Sequence, residues 1–519
     1  MRALAIVAFV VSPALTSGAM LAAQAVDRTD MPGRGMLRLT FEPSIVAWDA
    51  QFVGAMRLPL GLPLTGDTVG SAHIPVVARV EQDVRTAGGL PGFIASLGKG
   101  LLSVRQERRT TPISAELGLT DRLSVRLTVP IVRVATRAHL QLSSKGANLG
   151  LNPLLQGVAN SSALYGSFFN QFDTSLARLD ANIAGGGYGC PPSRQCGAQA
   201  FLDSARVVRG ALYEAVHGVA QTGSPFMPLD SSDGGRAIAQ VVSYLQTRDS
   251  AAFNVIGFRD PFLLAHDTLS VDFVAGAIID SANGFGYRAL PFRDSFRFAL
   301  GDLEVAAKYR IAGGAHYAAA LVALVRLPTA RRDSAEEWLH QSIGDHQVDL
   351  EARLVQELIV GSRLWLNLAI HGGIQRPGTQ VRRVAPFGTI LVPIAATSEL
   401  RWDPGDYAGV DFAPLFRLAP QFAAGVTAGY WTKQRDRYGF RSPQDSLDLA
   451  SRLGVPTSAA LLEQGTAERR LRLGVALTYV GPNVEGGFSI EQTVSGGSGA
   501  VTPAAAVYRI VLRTSRKLF

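Results

Sequence analysis

The stretch Leu123–Ser–Val–Arg–Leu–Thr–Val–Pro–Ile131 alternates between apolar and polar side chains. Its odd positions are all apolar, whereas Ser124, Arg126 and Thr128 are polar. Successive side chains of a β-strand point to opposite faces, so this period of two predicts a strand with one face in an apolar medium. A helix would instead repeat its apolar positions every three or four residues.

Stretches with the same alternation recur along the chain, and about twelve of them read as strands. The connections after the even-numbered strands are a few residues long, whereas those after the odd-numbered strands are long. Bacterial outer-membrane barrels have short periplasmic turns, long extracellular loops and an even number of strands. The sequence therefore predicts an all-β fold, a transmembrane antiparallel β-barrel of about twelve strands with both termini in the periplasm. The predicted strands lie near residues 37–52, 103–119, 122–137, 297–311, 315–328, 346–360, 363–375, 405–418, 421–433, 467–480, 484–494 and 504–519.

The N-terminus has the three parts of a secretory signal peptide. It begins with Met1–Arg2, continues with the apolar run Ala3–Val11 and reaches the small-residue site Ala23–Gln24–Ala25. Pro13 and the shortness of the run argue against a retained membrane anchor. We therefore predict a signal peptide over residues 1–25 and an exported, multi-pass outer-membrane barrel over residues 26–519.

The net charge of +8 does not by itself indicate a nucleic-acid-binding protein. The Lys and Arg residues are dispersed, and no helix-turn-helix, RNA-recognition or zinc-finger pattern is present. A basic surface of this kind suits anionic lipid and lipopolysaccharide, which we expect as partners of the barrel. The mean hydropathy of +0.16 also fits a barrel, because the lumen-facing residues of its strands are polar.

The two cysteines of the chain, Cys190 and Cys196, lie close together on either side of a Pro-Pro turn. In an exported protein such a pair indicates a disulfide. A zinc site is the poorer alternative, because two ligands without a nearby histidine do not complete a tetrahedral site. We predict the disulfide, no metal site and no cofactor.

One extracellular connection, residues 139–296, is of domain size. Within it, Ala198–Val219 places apolar residues at helical spacing, and residues 154–176 and 238–245 look helical too. A connection of this length without secondary structure would be unusual. We expect a partly helical insert between strands 3 and 4 that lies outside the barrel or folds into its mouth. It could cap the mouth or be a surface decoration with no further role.

Charged residues dominate the predicted inner face of several strands. In the fourth and sixth strands they alternate with apolar residues that face lipid, such as Leu303 and Leu350. Two hypotheses fit this pattern: the charges line a polar path that selects solutes by charge, or they pair in a network that fills the interior. Both hold if the network can rearrange. The candidate lumen-lining residues are Asp302, Glu304, Lys308, Arg310, Asp349, Glu351, Arg353, Glu357, His371, Arg470 and Arg472.

Several aromatic residues suit an interfacial girdle at the edge of the membrane. Such a girdle anchors a barrel in the bilayer without binding a ligand. We assign to it the residues Trp365, Trp402, Tyr407, Tyr430 and Trp431.

The chain has no recognisable catalytic motif, so we predict no catalytic residues and no enzyme activity. A G-x-S-x-G elbow is missing, and Phe93 stands where a phosphate-binding loop would need its first glycine. His340 and His346, with Asp345 nearby, could bind a metal, but a histidine pair in an exposed loop is more often only solvated. A Ser–His hydrolase pair stays open as a hypothesis, because its members need not be neighbours in sequence.

Two hairpin segments carry a resemblance to a known family. They read Gly118–Leu–Thr–Asp–Arg–Leu–Ser–Val–Arg–Leu–Thr–Val–Pro–Ile131 and Gly301–Asp–Leu–Glu–Val–Ala–Ala–Lys–Tyr–Arg310. They resemble outer-membrane proteins of the phenol meta-pathway type, which are relatives of the long-chain fatty-acid channel group. The resemblance implies a barrel that passes hydrophobic compounds.

The two ends of the chain differ in what they suggest. The fatty-acid channel group has an N-terminal plug, but only the short stretch Val26–Gly35 precedes the first strand here. We therefore expect no plug from the N-terminus, although residues 54–102 or the insert could fill the lumen. In the last strand Tyr508, Ile510 and Leu512 share one face, and we expect the barrel-assembly machinery to bind through this strand.

These features together predict a monomeric outer-membrane channel or passive transporter for small, hydrophobic solutes. One alternative is a structural or adhesion barrel that acts through its large insert. The other is an outer-membrane lipid hydrolase, which would need a serine and a histidine close together near the lipid boundary.

The topology predicts where a protease added to intact cells can cut. Cleavage should fall within residues 139–296 or within the loop 435–465, which we place outside the cell. The short turns at residues 118–122 and 481–483 should be spared, because the outer membrane shields the periplasm. Mass spectrometry of the fragments measures this, and cuts at the short turns in intact cells would reverse the orientation.

Overall fold

The computed structural model describes residues 28–519 except residues 192, 221, 283, 289–293, 333, 338, 340, 345, 482–483, 498 and 519. The signal peptide predicted over residues 1–25 lies outside the described residues and stays a prediction. His340 and Asp345 of the candidate metal site also lie outside them.

Twelve antiparallel strands of the described chain form one closed sheet. Each strand pairs with its neighbours in sequence, and β1, which consists of two segments, pairs with both β2 and β12 and so closes the barrel. The prediction of a twelve-stranded antiparallel barrel is confirmed. The strands are β1 (Met36–Phe41 and Ser44–Trp48), β2 (Lys99–Gly118), β3 (Leu123–Ser143), β4 (Ser295–Leu300 and Leu303–Gly313), β5 (Tyr317–Leu327), β6 (Asp349–Val360), β7 (Leu364–Gln375), β8 (Tyr407–Ala419), β9 (Phe422–Lys433), β10 (Glu468–Val480), β11 (Val484–Gly496) and β12 (Ala506–Lys517).

β1 and β4 are each interrupted once, at residues 42–43 and 301–302. Between these breaks, Pro112 of β2 lies directly opposite Pro130 of β3. Proline has no N–H to donate to a neighbouring strand, so the regular ladder is weakened in this row. The two proline carbonyls still accept hydrogen bonds, from the main-chain nitrogen atoms of Glu42 (3.2 Å) and Gly301 (2.8 Å).

β2 and β3 are longer than the sequence predicts, because their outer halves extend beyond the apolar alternation. They have 20 and 21 residues, against 11 to 13 in β5 to β12. Arg133, Arg137 and His139 lie on the outer face of the extension, where lipid-facing residues would be apolar. This hairpin therefore leaves the membrane and carries the insert at its outer end.

Outside the barrel, eight short strands form three small sheets. We call one of them the loop sheet; it consists of Gly378–Arg383, Thr397–Asp403 and Arg437–Phe440. The others are Ala50–Val53 with Met56–Pro59 and Val501–Pro503, and Leu149–Leu151 with Phe226–Pro228. The helices are α1 (Pro75–Ala87), α2 (Pro153–Gln156), α3 (Ser161–Ala184), α4 (Gly197–His217), α5 (Asp233–Phe253), α6 (Val271–Ile279) and α7 (Pro443–Leu453), with 3-10 turns at Leu62–Leu64, Gly187–Gly189, Ile394–Ala396 and Ala459–Glu463.

Within the described part of the chain, none of these helices combines the length and the apolar character that a membrane-crossing helix needs. Most of the helical residues belong to the insert, which contains α2 to α6 and lies between β3 and β4. A partly helical insert at this place in the barrel was predicted and is confirmed.

The insert shares one apolar core with the connection between β1 and β2, which we call the first loop, and with the outer ends of β2 and β3. Tyr165, Phe168 and Phe172 of α3 are fully buried there, together with Phe226 and Phe285. α1, from the first loop, packs against α4 and α5 of the insert. The described part of the first loop therefore contributes a helix to this outer domain. The sequence analysis had left open that residues 54–102 fill the lumen.

Cys190 and Cys196 form the predicted disulfide. The bond closes the turn between α3 and α4, and the Cys196 sulfur also accepts the Gln199 main-chain N–H as the N-cap of α4. Because the closed loop is short, the bond fixes this turn more than it stabilises the whole fold.

The interfacial girdle differs from the prediction. Trp431 and Tyr407 lie inside the barrel, because successive residues of a strand alternate between its faces and Tyr430 takes the outer position. Trp365 also lies on the inner side, and Trp402 belongs to the loop sheet. The aromatic residues exposed near the periplasmic turns are Tyr309, Tyr317, Phe416 and Phe422.

Burial of Asp83 makes the stability of the outer domain depend on pH. This α1 side chain is 3% exposed, and its Oδ2 has no hydrogen-bond partner. Burial, reinforced by the nearby Glu214 carboxylate, raises the pKa of Asp83 from 3.8 to about 7, while Arg79 opposes the shift. A raised carboxyl pKa means that the stabilising protonated form is fully present below about pH 4 and is lost as the pH rises towards 7.

We predict that Asp83→Asn removes this pH dependence. Amide hydrogen exchange, corrected for the intrinsic effect of pH, should show α1 and α4 better protected at pH 4.5 than at pH 8 in the wild type, with a change on the order of 1 kcal/mol or more. The variant should be better protected than the wild type at pH 8 and similar to it at pH 4.5. Asp203→Asn, at a side chain that is 61% exposed, is the matched control. Equal profiles for wild type and Asp83→Asn would contradict the argument.

Candidate lumenal site

The barrel encloses a cavity of about 310 Å³, which we call the central cavity. Side chains from nearly every strand reach it, because the inner positions of the strands converge at this level. Its wall consists of Glu42, Pro112, Ser114, Arg126, Thr128, Glu304, Arg353, Ala369, His371, Asp411, Trp431, Arg470, Arg472, Glu491, Arg509 and Arg513.

The central cavity has an excess of positive charge. Six arginines and four carboxylates line it, which leaves a formal charge of +2 with His371 neutral. Part of this charge is paired: the Arg472 guanidinium lies 3.4 Å from the Glu491 carboxylate and 3.5 Å from that of Asp411. Among the residues that the structure describes, Arg126 makes no ion pair, although it lines the same space. The cavity can therefore accept an anion without first breaking the bonds of Arg126.

Trp431 forms an aromatic wall on one side of the central cavity. Its ring is stacked on Tyr407, with centroids 4.6 Å apart and planes 24° apart, and lies 5.7 Å from the ring of His371. The Arg470 guanidinium lies 5.0 Å from the centre of the Trp431 ring, a cation–π distance. An apolar surface thus stands beside the cationic groups.

Towards the outside, an ionic cluster separates the central cavity from the mouth of the barrel. Arg326 of β5 lies 3.0 Å from Glu304 of β4 and 2.6 Å from Asp349 of β6. Gln375 of β7 donates to the same Asp349 (3.3 Å). We call the three charged residues Arg326, Glu304 and Asp349 the partition. Beside them, Glu351 accepts a hydrogen bond from the Tyr407 hydroxyl (2.5 Å) and is paired with Arg353.

Above the partition, the connection between β5 and β6 folds into the mouth. Its described residues within 328–348 form what we call the inward loop. Arg108 on the inner face of β2 donates to the carbonyls of Ser342 (2.8 Å) and Ile343 (2.7 Å). Asp302 accepts the main-chain N–H of Ala330 (2.8 Å). Ile343 packs against the inner face of β3, so this loop narrows the outer opening.

Arg383 of the loop sheet holds several outer segments together. Its buried guanidinium donates to the carbonyls of Phe285 (2.6 Å) and Gly286 (2.8 Å) in the insert. It also donates to Ala335 of the inward loop (3.0 Å) and to Val392 of the β7–β8 connection (2.6 Å). The insert is thereby tied to the loops that cover the mouth.

At the end of the barrel that has the short turns, which we predict to be periplasmic, residues 28–35 lie inside the lumen; we call them the N-terminal segment. Thr29 donates from its main-chain nitrogen (3.0 Å) and its hydroxyl (2.6 Å) to the Glu357 carboxylate of β6. Lys308 of β4 donates to the Asp30 carbonyl (3.0 Å), and Arg28 lies 3.2 Å from Glu485 of β11. Only 5% of Arg28 and 3% of Thr29 are exposed, so these residues lie inside the barrel.

The expectation of no plug from the N-terminus is therefore wrong. The expectation used the length of the segment, but a twelve-stranded barrel is narrow enough for a few residues to block it. The segment also carries a cationic residue, Arg28, and an anionic one, Asp30. The Asp30 carboxylate lies 2.7 Å from the Arg38 guanidinium of β1. Opposite charges on strands all around the wall hold it in place.

Ten of the eleven candidate lumen-lining residues fall into three groups, and Arg310 lies apart from them. Glu304, Arg353, His371, Arg470 and Arg472 border the central cavity. Lys308 and Glu357 hold the N-terminal segment, whereas Asp302, Asp349 and Glu351 belong to the partition and its surroundings. Arg310 lies next to the periplasmic turns, where its main-chain nitrogen donates to Arg122 (2.9 Å). Any role in passage stays a prediction for all of them.

Sequence reasoning missed several residues of the central cavity, among them Asp411, Glu491, Arg509 and Arg513. The parity of β12 could have found the two arginines, because Tyr508, Ile510 and Leu512 take the outer face and leave the odd positions inside. Asp411 lies in β8, whose alternation is weak in sequence. The described residues contain no group of three or more potential metal ligands, and His346 bonds to the Ala330 carbonyl (2.7 Å).

The closed sheet, its apolar outer face and its polar interior define an outer-membrane β-barrel. Its backbone is similar to that of an outer membrane channel from Pseudomonas putida F1, with a TM-score of 0.42 and 6% identity over 95% of this chain and 100% of that one. It is also similar to the toluene transporter TbuX of Ralstonia pickettii, with a TM-score of 0.30 and 9% identity over 93% and 90% of the two chains. The translocator domain of the autotransporter NalP from Neisseria meningitidis gives a TM-score of 0.28 and 7% identity over 94% and 90%. No protein-family profile and no curated protein sequence matches the chain.

The partition predicts a specific pattern of stability changes. Arg326→Leu leaves the Asp349 carboxylate, 3% exposed, without its cationic partner, which should cost about 3 kcal/mol. The double variant Arg326→Leu with Asp349→Leu should recover part of this loss, because it removes the more deeply buried of the two carboxylates that lose Arg326, while Glu304, whose side chain is 25% exposed, keeps access to water. Urea unfolding in detergent micelles, followed by tryptophan fluorescence, measures both.

Arg57→Leu is the matched control, because Arg57 and Asp49 form an ion pair in which both side chains are more than half exposed. This control should change the free energy of unfolding by less than about 1 kcal/mol. A double variant as unstable as Arg326→Leu alone would show that packing, and not charge pairing, is what Arg326 contributes.

Proposed function

We propose that this protein is a gated outer-membrane channel for small anions with an apolar body, such as aromatic carboxylates. The observation that carries the proposal is the central cavity, where the unpaired Arg126 and an excess of arginine face the Trp431 ring. The planar guanidinium group suits a carboxylate because it can donate two parallel hydrogen bonds. The aromatic wall offers an apolar surface to the rest of the solute.

This proposal refines the sequence-based expectation of a hydrophobic solute. A fully apolar molecule would leave the cations of the central cavity without the water or partners that they need. A fully hydrophilic anion would leave the apolar face of the Trp431 ring uncovered. A molecule with one anionic group and one ring can pair with the arginines and also pack against the Trp431 ring.

The two closures fit a gated channel. Passage towards the periplasm requires the N-terminal segment to leave its contacts with Lys308 and Glu357. Passage from the outside requires the partition and the inward loop to rearrange. The residues that block the lumen are thus held by ion pairs and hydrogen bonds, and a charged solute can offer these groups replacement partners.

The insert, residues 139–296, acts in this proposal as an outer cap. Its core is built on the extended β2–β3 hairpin, and Arg383 ties its end to the inward loop. Outer-membrane lipid and lipopolysaccharide would surround the exposed apolar face, and β12 would be the strand that the assembly machinery engages. A structural or adhesion barrel is the alternative that the following experiment separates.

Flux through proteoliposomes tests the proposal. The double variant Lys308→Met with Glu357→Gln should raise benzoate flux on the order of tenfold over wild type, because it removes the side chains that bind the N-terminal segment. Adding Arg126→Gln should lower benzoate flux by a similar factor and leave the flux of benzyl alcohol, the neutral analogue, much less affected. Leu303→Val, on the lipid-facing side, is the control and should change neither.

Two results would contradict the proposal in different ways. If the released variant passes no solute faster than empty liposomes, the structural or adhesion alternative stands. If it passes benzyl alcohol and benzoate equally, and Arg126→Gln changes neither, the protein is a channel but the anionic class of solute is wrong.

A further inference from the structure

A second cavity lies at the outer mouth of the barrel, on the far side of the partition from the central cavity. This mouth cavity has a volume of about 300 Å³, at the lower end of the range for small-molecule sites. It is enclosed between the inward loop, which contributes Gln347, and the loop sheet, which contributes Gln380, Trp402 and Tyr438. Gln375, which bonds Asp349 of the partition, also lines it.

The amide of Gln347 is the unusual feature of this cavity. The residue is 7% exposed, and neither its Nε2 nor its Oε1 has a hydrogen-bond partner. The buried Oε1 of Gln380, across the cavity wall, has none either. Buried polar groups in folded proteins are nearly always hydrogen-bonded, and an unpaired one costs stability. One donor group and two acceptor atoms in residues that line the cavity thus have no partner within the described protein.

Most of the charged residues at the mouth cavity have a partner of opposite charge. Lys433 is paired with Asp436, which also accepts the Trp402 indole N–H at 3.1 Å. Glu399 is paired with Arg441. Arg332 lies at the exposed rim. Arg382 of the loop sheet also lines the cavity; it is half-buried and has an interaction partner of its own. Among the described residues of this lining, the buried polar groups without a partner are neutral amides, in contrast to the central cavity.

Two aromatic rings complete the wall. Trp402 and Tyr438 are stacked, with planes 14° apart and centroids 6.5 Å apart, and Trp402 is almost completely buried. Flat apolar surfaces next to a few fixed polar groups are typical of sites that recognise small ligands. The rings can cover the C–H surface of a ligand while the amides bind its polar groups.

We propose that the mouth cavity is a binding site for a small neutral molecule with several hydroxyl groups, of the size of one monosaccharide. The acceptors Gln347 Oε1 and Gln380 Oε1 need hydrogen-bond donors. An ionised carboxylate only accepts hydrogen bonds, and a hydrocarbon neither donates nor accepts them. A hydroxyl group can donate to these oxygens and also accept from Gln347 Nε2. This site differs in ligand chemistry from the central cavity and does not depend on the proposed passage of anions.

Ligand-observed saturation-transfer NMR on the full-length protein tests the proposal. The detergent should carry no sugar headgroup, and the probes are D-glucose, D-galactose, D-mannose and myo-inositol, with sodium benzoate as the anionic comparison. At least one polyol should show saturation transfer. Gln347→Leu should weaken that binding at least tenfold, because it removes the donor and one of the acceptors without a large change in volume.

Gln82→Leu, at an exposed position of α1, is the matched control and should bind the polyol as the wild type does. Gln347→Leu should unfold in urea at the same or a higher concentration than the wild type, because it removes an unsatisfied buried amide. A loss of binding then cannot be a loss of folding.

Three outcomes would overturn the proposal. The first is that no polyol binds the wild type, which means that the cavity holds only water. The second is polyol binding that Gln347→Leu leaves unchanged, which places the site elsewhere. The third is benzoate binding that Gln347→Leu abolishes, which would make the mouth cavity a first binding site for the anion on its way to the central cavity.

Discussion

The pairing of β1 with β12 is the contact on which the rest of the structure depends. Inside a bilayer each main-chain N–H and C=O must find a partner within the protein, so a sheet of any size must close on itself. Closure at twelve strands fixes the width of the lumen. A lumen of this width holds side chains from opposite walls within reach of one another, and this proximity is why charges on the inner face become a network and not a wide aqueous pore.

Within that network, position along the barrel axis decides what each charge does. Near the periplasm, acidic and basic groups on four strands hold a few residues of the N-terminal segment. Near the outside, Arg326 is shared by two carboxylates and forms the partition. Between these levels the arginines outnumber the carboxylates, and space remains. The two hypotheses drawn from the inner charges, a packed network and a polar path, therefore describe different levels of the same barrel.

Local alternation was sufficient to predict the barrel, because each strand meets lipid on one face and the period of two is a local property. The same parity placed the outward Leu303 and the inward Glu304 on their faces.

The alternation of side chains could not show that Glu304 contacts Arg326 or that Lys308 contacts the N-terminal segment, because these partners are brought together only when the sheet closes. The girdle assignment was wrong for Trp431 because it was judged by residue type and not by parity, whereas its neighbour Tyr430 does take the outer face. The outer halves of β2 and β3 were missed because they leave the lipid that imposes the pattern. The mouth cavity has no signature in sequence, because Gln347 and Gln380 become neighbours only when two loops fold over the mouth.

The shared core of the insert and α1 has a consequence for the order of biogenesis. The core combines residues from before β2 with residues from after β3, so it cannot form until both flanks of this hairpin have crossed the membrane. Each helix is about 10–12 Å across with its side chains, and the folded domain packs α1, α3, α4 and α5 against one another, so its cross-section is several helices wide. Once folded outside, the domain cannot pass back through the barrel. Folding of the domain beyond the outer ends of β2 and β3 would therefore oppose withdrawal of this hairpin, and the disulfide holds the turn between α3 and α4 within that domain.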